Sequence, residues 1–117
     1  MNGILVEMSQ SHLKQLLRGV IEPLMLFIIG ELPMHGYRIA KELERRSSGY
    51  FRLGGSTIYS ILRRLEKRGL VLSFWQQVTR KQKRRCYKLS EKGREILAEK
   101  VAEWQKFYSA TNKIIQH

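Results

Sequence analysis

The 117-residue chain has no aspartate, and its ten acidic residues are all glutamate. No paired-carboxylate pattern, nucleophile elbow or phosphate-cradling glycine loop is visible, so the sequence offers no candidate catalytic residue and reads as a non-enzyme. Cys86 is the only cysteine, which excludes an internal disulfide; beside Tyr87 in an expected strand it reads as a small half-buried residue. His12, His35 and His117 have no ligand-like spacing to it or to one another, so neither a metal nor any other cofactor is expected. The longest apolar run, residues 24–29, is too short to span a bilayer. Residues 1–15 contain Glu7 and lack the apolar core of a secretory signal, so the expectation is a cytoplasmic protein away from membranes.

Positive charge is what the chain has in excess. Lys and Arg number 22, for a net charge of +12. Residues 38–94 hold 17 of these cations against four glutamates, a local balance of +13, which leaves the rest of the chain near −1. A field focused in this way attracts polyanions. Nucleic acid fits better than a membrane, because the cations are interleaved with Ser, Thr, Gln and Tyr rather than with an exposed apolar face.

The chain is organised around residues 53–70, LGGSTIYSILRRLEKRGL. Gly54, Gly55 and Ser56 form a start signal, Ile58, Leu62 and Leu65 recur at i, i+4 and i+7, and Gly69 follows a basic last turn. These features predict a helix over 56–68 with one face in a core. The other face carries Ser56, Thr57, Tyr59, Ser60, Arg63 and Lys67, short hydrogen-bonding groups first and cations one and two turns later. That order suits a helix whose first turn meets base edges while later residues reach phosphates. A merely solvated helix would carry a polar face too, but the charge concentration favours DNA recognition.

Before it, residues 11–32 read as helical, with Leu13, Leu16, Leu17, Val20, Ile21, Leu24, Phe27 and Ile28 at spacings of three and four. Pro23 would crowd the carbonyl of Gly19, inviting a kink or a break. The unbroken apolar stretch 24–29 implies burial on most sides, by the domain or by a second subunit. Residues 30–36 contain Pro33 and read as a turn, and 36–46 as a second helix carrying Tyr37 and Lys41. Two helices separated by a Gly/Ser loop over 47–55 make a helix-turn-helix, with Phe51 or Leu53 free to plug the core.

After Gly69 the period changes. Residues 70–75 and 85–89 read as two strands, joined by a polar tip over 76–84. Five cations stand in this region, Arg80, Lys81, Lys83, Arg84 and Arg85, so the hairpin reads as a wing that lies along phosphates or in a minor groove. Ser90 is an N-cap candidate, and nothing breaks a helix from there to about residue 115 except Gly93 in its first turn. About 25 residues make roughly 37 Å, more than a domain this size can cover. Leu97, Val101, Trp104, Tyr108, Thr111 and Ile115 repeat at four and three, a heptad seam that packs on the chain's own 11–32 helix, on a partner, or on both. The expected organisation is a DNA-binding unit over 1–89 and a dimerisation helix over 90–117, mainly α with a small β-hairpin. Leu13 and Leu17 join Leu97, Val101, Trp104, Tyr108 and Ile115 as expected dimer contacts.

Three blocks in this order carry a resemblance: HGYRI at 35–39, STIYSILRRLEKRGL at 56–70 and YKLSEKG at 87–93. The chain resembles the PadR-like winged helix-turn-helix transcriptional regulators, of the short subfamily with one C-terminal helix. The resemblance implies a homodimer, usually a repressor, that binds a palindromic operator in double-stranded DNA and often leaves it when a small ligand binds. It places Tyr37 on a phosphate, Ser56, Thr57, Tyr59, Ser60 and Arg63 in the major groove, and Lys83 to Arg85 in the wing. Lys41, Arg64, Lys67 and Lys81 complete the expected DNA-facing set. A tryptophan at the place of Trp104 stacks on planar aromatic molecules in some members, so Trp104 is read either as a plain interface anchor or as the contact of such an effector. The wing departs from the family's common Gly-Arg-Pro, having Lys81-Gln82-Lys83, and Ser60 stands where proline is frequent. From another class, a winged domain can serve as a protein- or RNA-binding adaptor without promoter specificity.

Overall fold

The structure, a computed structural model, describes the backbone of residues 11–116 and the side chains of residues 18–116. In chain order it comprises α1 (Ser11–Glu31), β1 (Met34–His35), α2 (Gly36–Arg46), α3 (Gly55–Lys67), β2 (Val71–Gln77), β3 (Lys83–Leu89) and α4 (Glu91–Ile115). The strands form an antiparallel sheet in the order β1-β3-β2. Helices α2 and α3 with the β2–β3 hairpin make a winged helix-turn-helix, and α1 and α4 pack against each other beside it.

The elements follow local chemistry. Helix α1 runs through Pro23 without a break. The end of α2 is tied down by Ser47: its hydroxyl donates to the Leu43 carbonyl at 2.7 Å and accepts the Phe51 N–H at 2.9 Å. That anchor directs the following loop inward, and both Phe51 and Leu53 pack against the core. Helix α3 ends in a Schellman turn, with Gly69 at φ +77° and the N–H groups of Gly69 and Leu70 donating to Glu66 and Leu65, each at 2.9 Å.

The core collects Met25, Leu26 and Ile29 from α1, Ile39 and Leu43 from α2, Ile58, Leu62 and Leu65 from α3, and Val71, Tyr87 and Leu89 from the sheet. Of the continuous apolar stretch on α1, Phe27 remains exposed and Leu24 half-buried. Those two positions mark the side that this chain alone does not close.

Two readings need correction. Residues 30–36 are not only a turn, because Met34 and His35 pair with Tyr87 and Cys86 as a third strand. A two-residue strand is too short to show alternation, and its partner lies some fifty residues away in sequence. Cys86 is fully buried, as is Tyr87. Consecutive strand residues face opposite sides of a sheet, so Tyr87 lies on the core side with Leu89, while Cys86 is covered on the other side, where its thiol meets Gln76 Oε1 at 3.4 Å.

The junction between α3, the sheet and α4 is built on Leu70. Its carbonyl accepts the Ser90 N–H at 3.0 Å, and the Ser90 hydroxyl donates to the Gly69 carbonyl at 2.6 Å while capping α4 through the Gly93 N–H at 2.9 Å. Gly93 is buried directly against the Leu70 carbonyl, in a space a Cβ would occupy. Backbone cannot swing aside as a flexible side chain would. Gly93→Ala should therefore destabilise the fold by about 1–3 kcal/mol, the usual range for overpacking, read as a lowered urea midpoint. A midpoint within error of wild type would show that the junction tolerates displacement.

Candidate nucleic-acid interface

Helices α2 and α3 begin in the same way and α4 in another. Helix α4 has the Ser90 cap and Glu91 in its first turn. Helices α2 and α3 start at His35 and Gly54 with no side-chain cap and no acidic residue in the first turn. Their leading amide groups and the positive ends of their dipoles are thus left for an external anion.

From α3 project Ser56, Thr57, Tyr59, Arg63 and Lys67, all exposed, with Ser60 half-buried between them, while Ile58, Ile61, Leu62 and Leu65 point into the core. Tyr59 is 39% exposed and leans on the start of α2, where its ring fills the space beside Gly36 that a side chain would need. Glycine at position 36 thus sets the pose of an α3 surface residue. Next to it Tyr37 is exposed, with the Lys41 ammonium 5.5 Å from its ring centroid and the His35 ring stacked at 6.3 Å.

His35, which sequence reasoning did not assign to the site, links α2 to the wing. Burial holds its imidazole below the ordinary value, and the charges of Arg84 on β3 and Arg38 on α2 push the same way. The wing tip is closed by the N–H groups of Val78 and Thr79, both donating to the Gln82 carbonyl, and it presents Arg80, Lys81 and Lys83 to solvent. Arg84 is oriented by a hydrogen bond to Gln76 at 3.1 Å.

Glutamates sort the cations. Of the 17 Lys/Arg in residues 38–94, Arg45, Arg46, Arg52, Arg64, Arg68 and Arg85 lie within 4.0 Å of a carboxylate, which leaves eleven unpaired among the described residues. Glu42 receives hydrogen bonds from Arg45 and Arg46, which lower its carboxyl to about 2. The unpaired set includes Arg38, Lys41, Arg63, Lys67, Arg80, Lys81, Lys83 and Arg84, the cations of the α2, α3 and wing surfaces just described.

This sorting bears on two of the expected DNA contacts. Arg64 is engaged within the chain: its guanidinium donates to Glu22 of α1 at 2.9 and 3.3 Å, and Arg68 reaches the same carboxylate at 3.0 Å. Arg85 is held at the hairpin's flank by Ser73 Oγ at 2.9 Å and Glu66 at 3.5 Å. The missed signal was Glu22 itself, 42 residues from Arg64 and without a sequence pattern that announces the pairing.

The long C-terminal helix also differs from the expected seam. Leu97 packs on the chain's own core, and Val101 is half-buried. Trp104, Tyr108 and Ile115 are exposed, together with Phe107 and Ile114, which the heptad reading left out. The side chains of Leu13 and Leu17 lie outside the described residues. Between α1 and α4 is a cavity of about 360 Å³ whose walls include Leu24, Phe27, Val101, Trp104 and Tyr108.

A winged helix with uncapped recognition-helix amides, a polar α3 face and a carboxylate-free basic wing defines a DNA-binding protein of the transcriptional-regulator class. The family is shown by comparison: residues 25–99 match the model of the Transcriptional regulator PadR-like family, and the chain belongs to it. It is 30% identical over 89 residues to Uncharacterized protein X of Lysinibacillus sphaericus, covering 76% of this chain and 82% of that one. Its fold is similar to a PadR-like transcriptional regulator of Bacillus cereus (TM-score 0.78, 27% identity, 88% of this chain and 98% of that one). It is also similar to a PadR family transcriptional regulator of Eggerthella lenta (TM-score 0.72, 28% identity, 90% and 89%). The chain is therefore a DNA-binding transcriptional regulator of a non-enzymatic family. Among the described residues no helix is long and apolar enough to cross a membrane.

Pairing separates the cations into testable groups. Arg63→Ala should reduce discrimination between sequences as well as affinity. Lys67→Ala should weaken all duplexes alike and lower the slope of log K against log salt by about 0.9, the value of one phosphate contact. Arg64→Gln should leave that slope unchanged, because its charge already faces Glu22. Equal slope changes for Arg64 and Lys67 in a salt-titrated retardation assay would refute the sorting.

Proposed function

We propose that the protein is a cytoplasmic homodimeric repressor that binds a palindromic operator and releases it when a small planar aromatic molecule binds beside Trp104. The observation that carries the reading is the division of exposed chemistry within one chain: unpaired cations and short hydroxyl groups on α2, α3 and the wing, apolar side chains along α4. A single α3 offers few base contacts, and a two-fold dimer doubles them on half-sites about 34–36 Å apart or a multiple of that. In the proposed organisation residues 1–89 bind DNA and 90–117 form the dimerisation helix. The exposed stripe from Trp104 to Ile115 supports that role, because apolar side chains along an overhanging helix are stabilised by a partner helix. The proposed DNA contacts are Tyr37, Lys41, Ser56, Thr57, Tyr59, Ser60, Arg63, Lys67, Lys81, Lys83 and Arg84.

The effector part rests on the cavity between α1 and α4. Its apolar, partly aromatic walls and its volume suit a small flat ligand, and a bulky Trp104 at the seam keeps paired helices apart.

A competition measurement tests the regulatory core. Duplex from the gene's own upstream region should bind at least about 10³-fold more tightly than random duplex. Equal affinities would point instead to an adaptor without promoter specificity.

Trp104→Ala tests the effector site separately. The variant should stay dimeric by sedimentation, keep operator affinity within roughly tenfold, and no longer release the operator when a planar aromatic cation is added. Dissociation at micromolar concentration with loss of operator binding would make Trp104 an interface anchor. Wild-type Trp emission unmoved by every planar aromatic tested would remove the ligand altogether.

A further inference from the structure

The wing carries one large group that its charge does not explain. Trp75 on β2 is 65% exposed. It shares a sheet face with Val71 and Ser73 and, across the register, with Leu89, Tyr87, Arg85 and Lys83. Toward the hairpin's root that face is core, since Val71, Tyr87 and Leu89 are buried. Trp75 is the first large side chain beyond the covered part.

It is nevertheless held. The Arg85 guanidinium lies 5.8 Å from the indole centroid, and Arg85 is itself fixed by Ser73 Oγ at 2.9 Å and Glu66 at 3.5 Å. One side of the ring is thus occupied by an anchored cation, and the rest is presented to solvent on a short antiparallel ribbon. An exposed indole in a fixed pose is the geometry of a contact platform rather than of a solvated loop residue.

Its surroundings select the occupant. From Gln76 to Arg84 the hairpin has four cations and no acid, and Lys83 stands across from Gln77 one step further along the same face. Ser73, on that face, donates to Glu66 of α3 at 2.6 Å, so the ribbon adjoins α3. A partner that offers anionic charge for the cations and a weakly polar surface for the indole is a nucleic acid, with its phosphates and the hydrocarbon side of its sugars.

We propose that Trp75 is a DNA contact, a rigid aromatic platform on the wing that packs against a backbone sugar of the duplex flanking the α3 site. Arg85 acts as its positioning residue and neutralises no phosphate. The proposal rests on the reading that α3 and the wing engage duplex DNA.

The test uses the full-length protein labelled with 5-fluorotryptophan, which gives two ¹⁹F resonances, from Trp75 and Trp104. Loss of one in Trp75→Phe assigns it. On addition of upstream duplex the H₂O/D₂O isotope shift of the Trp75 resonance should collapse. Trp75→Ala should lower duplex affinity on the order of tenfold with an unchanged salt slope, whereas Lys83→Gln should lower the slope by about 0.9. Arg85→Gln should reproduce the Trp75→Ala loss, again with an unchanged slope.

If retardation shows the duplex bound while the isotope shift persists and Trp75→Ala binds within twofold of wild type, Trp75 is not a contact and the DNA reading stands without it. If the wild type binds no duplex at any salt concentration, both readings fall together. Polyglutamate protecting the resonance as fully as duplex does would assign the platform to acidic partners in general and overturn the DNA assignment.

Discussion

Crowding cations onto one region of a small fold raises self-repulsion in the compact state, and the only relief available within the described chain comes from a few glutamates. Their placement determines the rest. Glu22 on α1 holds Arg64 and Arg68, which braces the side of α3 turned toward α1. Glu42 and Glu31 hold Arg46 and Glu42 also holds Arg45, joining the end of α2 to the end of α1. Glu66 holds Arg85 at the root of the wing. Each pair contributes only modestly to stability, because the guanidinium partners stay solvated even where Glu22 and Glu42 are partly covered. Their larger effect is subtractive, because each glutamate offsets one unit of positive charge in the far-reaching field and leaves the unpaired charge on α2, α3 and the wing tip. Repulsion remaining there is relieved when an external polyanion arrives, and binding to it is strongly salt-dependent.

Elements governed by local rules were legible in the sequence. Helix α3 was bounded by glycines and an apolar repeat, and the structure moves its ends by one residue. The range of α2 is the one read, and Ser90 caps α4 as its type and position implied. What was not legible is long-range. Strand β1 is defined by a partner on β3, and Arg64's destination is defined by a glutamate on another helix. The heptad reading of α4 missed Phe107 and Ile114 because it followed one narrow seam, whereas the exposed apolar surface spans neighbouring helical positions as well. Charge counting placed positive potential in the middle of the chain correctly. It could not say which six cations are internally paired, since pairing depends on tertiary approach.

The same contrast separates the two tryptophans. Both are large aromatic side chains that the described chain leaves exposed, yet their neighbours differ. Trp104 is bordered by Leu24, Phe27, Val101 and Tyr108, an environment suited to another apolar face or a flat hydrophobic molecule. Trp75 is bordered by Arg85 and the basic ribbon, an environment in which an apolar partner without negative charge would leave several cations desolvated and unpaired.

These two surfaces are mechanically connected through Leu70. The first turn of α4 is attached to the residues that end α3 and begin β2. Ser90 bonds the Gly69 and Leu70 carbonyls, the Lys92 ammonium reaches the Arg68 carbonyl at 3.1 Å, and Gly93 lies flush on Leu70. None of these contacts involves a long flexible stem except Lys92, and the glycine leaves no slack between the two backbones. A rotation of α4 about its own contacts with α1 therefore has two outcomes: it carries the end of α3 and the root of the wing along, or it breaks the Ser90 bonds. Packing this close is bistable rather than continuously deformable. A ligand seated between α1 and α4 changes DNA affinity only to the extent that it prefers one arrangement of this joint over the other. If the proposed effector site and operator surface communicate, the shortest route in the described chain is this joint, the Ser90 and Lys92 hydrogen bonds to the carbonyls of residues 68–70 and the Gly93 contact.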